Sequence, residues 1–187
     1  MARTGGRRRG GDPARRDRRG RRAAETVFSR GHRRVAFLGG TEHEAATVRR
    51  LAGFFAAADA AGVPRSELTV EFGHYDISSG YELTRESVRR ARPTAIVAGN
   101  DRMALGAFFA LAEAGISVPD DMSVVGYDDQ PDLAAELRPA LSTVALPHYE
   151  MGIRAGSLLA AGTVAPSTGE TLLDCPLVER ASVSVPR

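Results

Sequence analysis

Residues 94–101 read TAIVAGND: a short, β-prone and largely apolar run, then a glycine, then an amide and a carboxylate. That is the form of a buried strand that feeds a polar loop. The form recurs three times. Val35–Leu38 runs into Gly39-Gly40, Thr69–Phe72 into Gly73-His74-Tyr75, and Ser123–Gly126 into Tyr127-Asp128-Asp129. Helical stretches separate these units, so the chain reads as β-loop-α repeated, which predicts the α/β class with a parallel sheet. In such a sheet every loop after a strand emerges on the carboxyl edge, where open α/β sheets place their ligands.

Punctuation residues bound the helices. A helix is predicted over Arg21–Arg30, stopped by Gly31, and another over Glu44–Ala61, closed by Gly62 and Pro64. Ser78 or Ser79 is the expected cap of a helix to about Ala91, and Asn100 that of a helix over Arg102–Ala114. Leu141–Ala145 reads as a short strand, Pro147 as the start of a helix to Ala161, and Thr171–Val185 as strand-like with a break at Pro176. Within Arg102–Ala114, the residues Met103, Leu105, Phe108, Phe109 and Leu111 do not fit one stripe. A helix apolar nearly all round is buried on two sides. One side packs on the sheet. The other needs a second cover, either a further layer of this chain or a partner subunit, and Leu105, Phe108 and Phe109 are assigned to a dimer interface.

Charge is unevenly spread. Residues 1–22 carry ten Arg against Asp12 and Asp17, whereas the rest carries fifteen Arg against twenty-one acids. The pI near 9.1 therefore belongs to the N-terminal segment, and the remainder is mildly acidic. Mild acidity argues against a nucleic-acid face on the globular part. Residues 1–16, rich in Gly and Arg, are read as a disordered tail, preferred as a solvated segment over a nucleic-acid arm. The single cysteine, Cys175, fits a reducing compartment. No run approaches the roughly 18 apolar residues of a membrane span, and no apolar core of a secretory signal follows the Arg-rich start. The expected location is cytoplasmic, with no membrane partner.

Enzyme signatures are missing. There is no G-x-S-x-G elbow, phosphate loop, G-x-G-x-x-G or C-x-x-C. His32, His43, His74 and His148 are scattered, so no metal site and no cofactor is expected. Asp128-Asp129 is read as one ligand-binding and one locally bonded carboxylate rather than an acid–base pair, because neighbours on an extended segment point oppositely. Gly39-Gly40 is only a weak phosphate-cradle signal.

The run from Asn100-Asp101-Arg102-Met103-Ala104-Leu105-Gly106 through Gly115–Asp129 resembles the effector-binding domain of the lactose/galactose repressor (LacI/GalR) family. Gly31–Gly40, Arg50–Phe54 (RLAGF), Ser142-Thr143-Val144 and Met151-Gly152 follow the same order, so the resemblance covers about Asp17 to Arg187. It implies one Rossmann-like lobe of a periplasmic-binding-protein-like sensor domain, residues 17–187. Residues 146–162 then form the crossover toward a first lobe that this chain lacks, as it lacks the helix-turn-helix; truncation is the expectation. The resemblance maps effector contacts onto Arg50, Tyr75, Asn100 and Asp128, suited to a sugar, a related polyol or a nucleobase. Asp128 accepts from hydroxyls, Asn100 donates and accepts, Arg50 offers a planar fork, and Tyr75 offers a ring face. Leu146 is a departure, standing where many relatives carry a polar side chain.

The resemblance thus implies the effector-sensing and dimerisation portion of a transcriptional regulator. It is expected to be a homodimer, to contact operator DNA only in the full-length architecture, and to have no enzymatic activity. The competing readings are a sugar-binding component of a transporter, an orphan binding module without DNA binding, and a small flavodoxin-like enzyme.

Overall fold

The computed structural model describes residues 13–162 and 172–187, with side chains from Gly20 onward. Its elements run α1 (Pro13–Phe28), β1 (Val35–Gly39), α2 (Ala45–Ala60), a 3-10 turn (Arg65–Glu67), β2 (Leu68–Phe72), α3 (Ile77–Ala91), β3 (Ala95–Ala98), α4 (Asp101–Glu113), β4 (Ser123–Asp128), β5 (Ser142–Ala145), α5 (His148–Ala160) and β6 (Leu177–Val178). The apolar runs are the strands. They form one sheet in the order β2-β1-β3-β4-β5-β6. The pairings from β2 through β5 are parallel, and β6 joins β5 antiparallel. Chain order reverses at β1, which pairs with β2 on one side and β3 on the other. The carboxyl ends of β1 to β5 therefore share one edge, with the switch point inside it.

Alternation along the strands assigns each side chain to one of two cores. Val35 and Phe37 of β1 join α1 and α2 residues such as Ala24, Val27, Phe54 and Ala58 on one face. Ala36 and Leu38 join Met103, Ala107 and Leu111 of α4 on the other. A sheet covered on both faces needs near-continuous apolar strands, which is why β1 and β3 are buried along their whole length.

On each face the two helices cross at glycines. A Cβ built on Gly53 of α2 would strike the backbone of Gly20 in α1, and one on Gly20 would lie 2.5 Å from the carbonyl oxygen of Arg49. On the opposite face, a Cβ on Gly80 of α3 would strike the backbone of Met103, and one on Gly106 of α4 the backbone of Ile77. The second cover of α4 is thus largely α3, a further layer of the same chain.

Three sequence expectations change. α1 begins at Pro13, well before Arg21, and reaches into the segment read as disordered; proline suits a first helical position, where its missing N–H loses nothing. The expectation for residues 1–12 lies outside the described residues. The cap of α3 is Asp76, whose carboxylate accepts from the Ser79 amide at 2.7 Å, rather than Ser78 or Ser79. Among the described residues of the C-terminal stretch, only Leu177–Val178 is strand. Beyond it, serine hydroxyls supplement isolated backbone bonds such as that from the Val124 amide to the Ser182 carbonyl at 2.9 Å. Ser182 Oγ donates to the Val124 carbonyl at 2.6 Å and accepts from the Ser142 amide at 2.8 Å. His32 ties the same strap to the start of β1, its Nε2 lying 3.0 Å from the Ser184 carbonyl.

α5 packs unlike the others. None of its residues is buried, and Tyr149 (84% exposed), Ile153 (55%) and Leu159 (67%) face solvent. No helix among the described residues is long and apolar enough to cross a membrane.

The glycine crossings give a prediction whose sign is diagnostic. In an open helix Gly→Ala stabilises by about 1 kcal/mol. Gly53→Ala instead forces α1 and α2 apart and is expected to cost about 2 kcal/mol. Thermal unfolding should show a Tm lowered by about 4–8 °C; a raised Tm would contradict the close crossing.

Candidate functional site

The four residues singled out in the sequence converge at the carboxyl edge. Arg50 projects from α2 across the ends of β3 and β4. Its Nη1 donates to the Gly99 carbonyl at 2.6 Å, and its Nη2 lies 3.5 Å from Asp128 Oδ1. The same guanidinium lies over two rings, 4.7 Å from the centroid of Tyr127 and 5.6 Å from that of Tyr75. Its position is set by the helix crossing, because Gly20 of α1 packs directly against the Arg49–Arg50 backbone. Tyr127 closes the circuit by donating its phenol to the Gly20 carbonyl at 2.6 Å. Burial holds that phenol well above the usual tyrosine range.

Tyr75 and Asn100 interlock. Asn100 Oδ1 accepts from the Met103 amide at 2.9 Å, so it caps α4 as the sequence predicts. Its Nδ2 donates to the Tyr75 carbonyl at 3.0 Å, which fixes a residue held at φ 58°. The Tyr75 hydroxyl lies 2.7 Å from Thr47 Oγ1, one turn before Arg50 on α2. The Tyr75 ring also explains Gly39-Gly40: a Cβ on Gly40 would overlap the ring, and one on Gly99 would lie 3.1 Å from it. The glycine at position 40 makes room for an aromatic ring, not for a phosphate.

Asp128 ends β4 in a backbone that non-glycine residues avoid, at φ 114°, and Asp129 follows at φ 50°. Consecutive positive φ values persist only where surroundings over-determine them. Here the Leu146 amide donates to the Asp128 carbonyl at 3.2 Å, Arg180 pairs with Asp129 at 2.8 Å, and the Gln130 amide donates to Asp101 Oδ2 at 2.7 Å. The two carboxylates take different partners, Arg50 and Arg180, although the backbone that separates them is a positive-φ turn rather than the extended segment expected from the sequence. Burial raises the Asp128 carboxyl, opposed by the Arg50 and His148 charges.

Sequence reasoning missed Asp101, which is fully buried at the first position of α4. Besides the Gln130 amide it accepts from Thr143 Oγ1 at 2.6 Å, and the space its Oδ1 needs exists because residue 126 is glycine. Burial is the main reason its carboxyl is pushed up to about 6, with Asp128 and Asp129 adding and the two hydrogen bonds opposing. Its position in the Asn100-Asp101 pair was visible, but its partner on β5 was not. Thr47 carried a local signal, three residues before Arg50 on one helix face. No group of His, Cys, Asp or Glu able to hold a metal occurs among the described residues. Of the residues assigned to a dimer interface, Leu105 and Phe108 are half-buried, Phe108 against the α3–α4 core, while Phe109 is 54% exposed.

Residues 24–183 match the model of the periplasmic binding protein-like domain family. The HTH-type transcriptional regulator CelR of Thermobifida fusca is 37% identical over 153 residues, covering 81% of this chain and 44% of that protein. Among solved structures, a LacI family transcriptional regulator from Enterococcus faecium with bound ribose superposes with a TM-score of 0.82 at 30% identity, covering 92% of this chain and 64% of that one. A dimeric Lac repressor with an 11-residue C-terminal deletion gives a TM-score of 0.83 at 29% identity, covering 92% and 63%. The chain spans about half the length of the curated relatives it matches.

Two predictions follow from the charges at this edge. Arg50→Met removes the main cation opposing the rise at Asp128, so the Asp128 carboxyl should titrate at higher pH than in the wild type. Carboxyl-carbon NMR reads this directly, and an unchanged midpoint would refute the pairing. Asp101 acts on stability. Its folded pKa of about 6 exceeds the ordinary 3.8, so its contribution is fully present below pH 4 and is lost as pH rises through 6. The loss is on the order of 3 kcal/mol. Denaturant unfolding across that window should lose this slope in Asp101→Asn.

Proposed function

This chain belongs to the periplasmic binding protein-like domain family, and we propose that it is the effector-sensing and dimerisation portion of a LacI-type transcriptional regulator. Its ligand is a small sugar or related polyol. The observation that carries this reading is the convergence of Arg50, Tyr75, Asn100 and Asp128 at the switch-point edge. The Arg50–Asp128 contact is longer than a good hydrogen bond. Asp128 therefore keeps acceptor capacity for two hydroxyls, while the guanidinium donates to hydroxyl oxygens beside it. Tyr75 supplies an apolar ring for the carbon face of a sugar. A nucleobase is the alternative ligand for the same ring and amide.

Binding rather than turnover is the proposed activity, in a cytoplasmic protein without enzymatic function; the relatives are transcriptional regulators. Those relatives favour this reading over a transporter component. Operator DNA would be contacted through other segments of a full-length architecture, with effector binding shifting the population of lobe arrangements. Phe109, exposed on α4 beside Leu105 and Phe108, supports homodimerisation through that helix. α5, within residues 146–162, would cross to a first lobe outside this chain.

A single lobe supplies part of a cleft's contacts. If the other lobe contributes about 4 kcal/mol, this chain alone binds roughly a thousandfold more weakly than a complete sensor. NMR titration with ribose and a panel of pentoses, hexoses and nucleobases should give millimolar binding that perturbs the Asn100 and Asp128 amides. Asp128→Asn should weaken it about tenfold or more. A micromolar dissociation constant, or binding that spares those amides, would overturn the proposal.

A further inference from the structure

We propose that Asp101 is a positioning residue for the effector site: its buried carboxylate, held between Thr143 and the Gln130 amide, sets the Asp128–Gln130 turn and makes that turn proton-sensitive. The inference rests on the reading of Asp128 as a ligand contact. It starts from a mismatch between where Asp101 sits and what it does. A carboxylate in the first turn of a helix ordinarily serves that helix's free amides. At α4 the capping is done by Asn100, which binds the Met103 amide. Asp101 instead turns its oxygens outward to β5 and to the loop after β4, with Thr143 Oγ1 at 2.6 Å and the Gln130 amide at 2.7 Å.

Fully buried carboxylates are almost always paired with a cation. Asp101 has no ion pair among the described residues, whereas its neighbours do: Asp128 with Arg50 and Asp129 with Arg180. The charged groups facing it are thus Asp128 and Asp129 from the β4 turn, each with its own arginine, and beyond them His148 at the start of α5, which acts on Asp128. Asp101 is the carboxylate of the three left to neutral donors. That isolation matches a carboxyl pushed up to about 6.

The turn it holds cannot hold itself. Asp128 and Asp129 both adopt positive φ. The Gln130 amide is the first group after them anchored to a different element, the start of α4. When ionised, Asp101 gives that amide a charged acceptor, and charge-assisted bonds are roughly twice as strong as neutral ones. On protonation the new O–H donates to Thr143 Oγ1, whose hydroxyl rotates to accept. The Gln130 bond then becomes a neutral one. Ionisation lowers global stability through the cost of burying the charge, yet strengthens this local bond. The turn is therefore held more firmly above pH 6 than below it, and the position of the Asp128 carboxylate follows.

Amide NMR of the unliganded chain between pH 4.5 and 8 tests this in the wild type, Asp101→Asn and Asp101→Ala. In the wild type the Gln130 amide proton should move upfield on acidification with a midpoint near 6, accompanied by the Asp128 and Asp129 amides. Asp101→Asn keeps both hydrogen bonds with a neutral group, so the wild-type turn pattern should persist and the common midpoint vanish. Asp101→Ala should displace those amides and raise their solvent exchange by tenfold or more. The same midpoint in Asp101→Asn would assign the titration elsewhere and overturn the proposal. So would unmoved turn amides in Asp101→Ala; if that variant does not fold, the asparagine comparison still decides. A ribose titration at pH 5 and 7.5 forms a separate arm: binding by no sugar speaks against the proposed function, while the unliganded spectra judge Asp101 alone.

Discussion

Gly20 is the point on which the site depends, though it contributes no side chain. Its bare backbone lets α1 press against the Arg49–Arg50 peptide of α2, and its carbonyl receives the buried phenol of Tyr127. Arg50 then lies over the ring of that same tyrosine and reaches Gly99 and Asp128. One close helix crossing thus fixes the height of the guanidinium above the sheet edge. A long, flexible side chain becomes a group of defined position because its stem is clamped and its head is shared among a carbonyl, a carboxylate and two rings.

The opposite face repeats the device. Gly80 of α3 packs on the Met103 backbone, one turn into α4 from Asn100 and Asp101. The two helix pairs, on different faces of the sheet, are therefore pinned near the same edge, and the residues they aim meet above the switch point. Rigid elements carry the polar groups while the strained turn at Asp128 and Asp129 is left to be shaped by its neighbours. Of the four polar residues, Arg50 sits on a helix, Asn100 caps one and Asp128 ends a strand, while Tyr75, in the β2–α3 loop, is held by Asn100 and Thr47.

What was legible in the sequence follows from the range of the interactions. The strands were readable because a two-sided sheet demands unbroken apolar runs, and Asn100 was readable as a cap because capping acts over three residues. The convergence of Arg50, Tyr75, Asn100 and Asp128 was implied by parallel topology and the family motifs together. Asp101 was hidden because its burial depends on Gly126 and Thr143, which come near only after β4 and β5 pair. The start of α1 was misread because Arg and Gly composition suggested solvation, whereas the helix there begins at Pro13. The C-terminal strap looked like a strand since its residues are β-prone. Instead of a regular ladder, Ser182 meets β4 through both its carbonyl and its hydroxyl, and the Ser184 amide donates to the Ser123 hydroxyl, a mixture that periodicity does not register.

The solvent-facing helix α5 carries a different consequence, concerning how stability is distributed. Thirteen residues is near the length below which an isolated helix is marginal in water. With no residue buried, α5 gains nothing from the sheet, so its opening free energy lies near zero while that of β1 and β3 approaches the global value. The buried strands and α5 thus stand at opposite ends of the range of local stability. Any surface that covers Tyr149, Ile153 and Leu159 supplies the ordering of α5 as part of its own binding, so the helicity of this segment reports on what it touches.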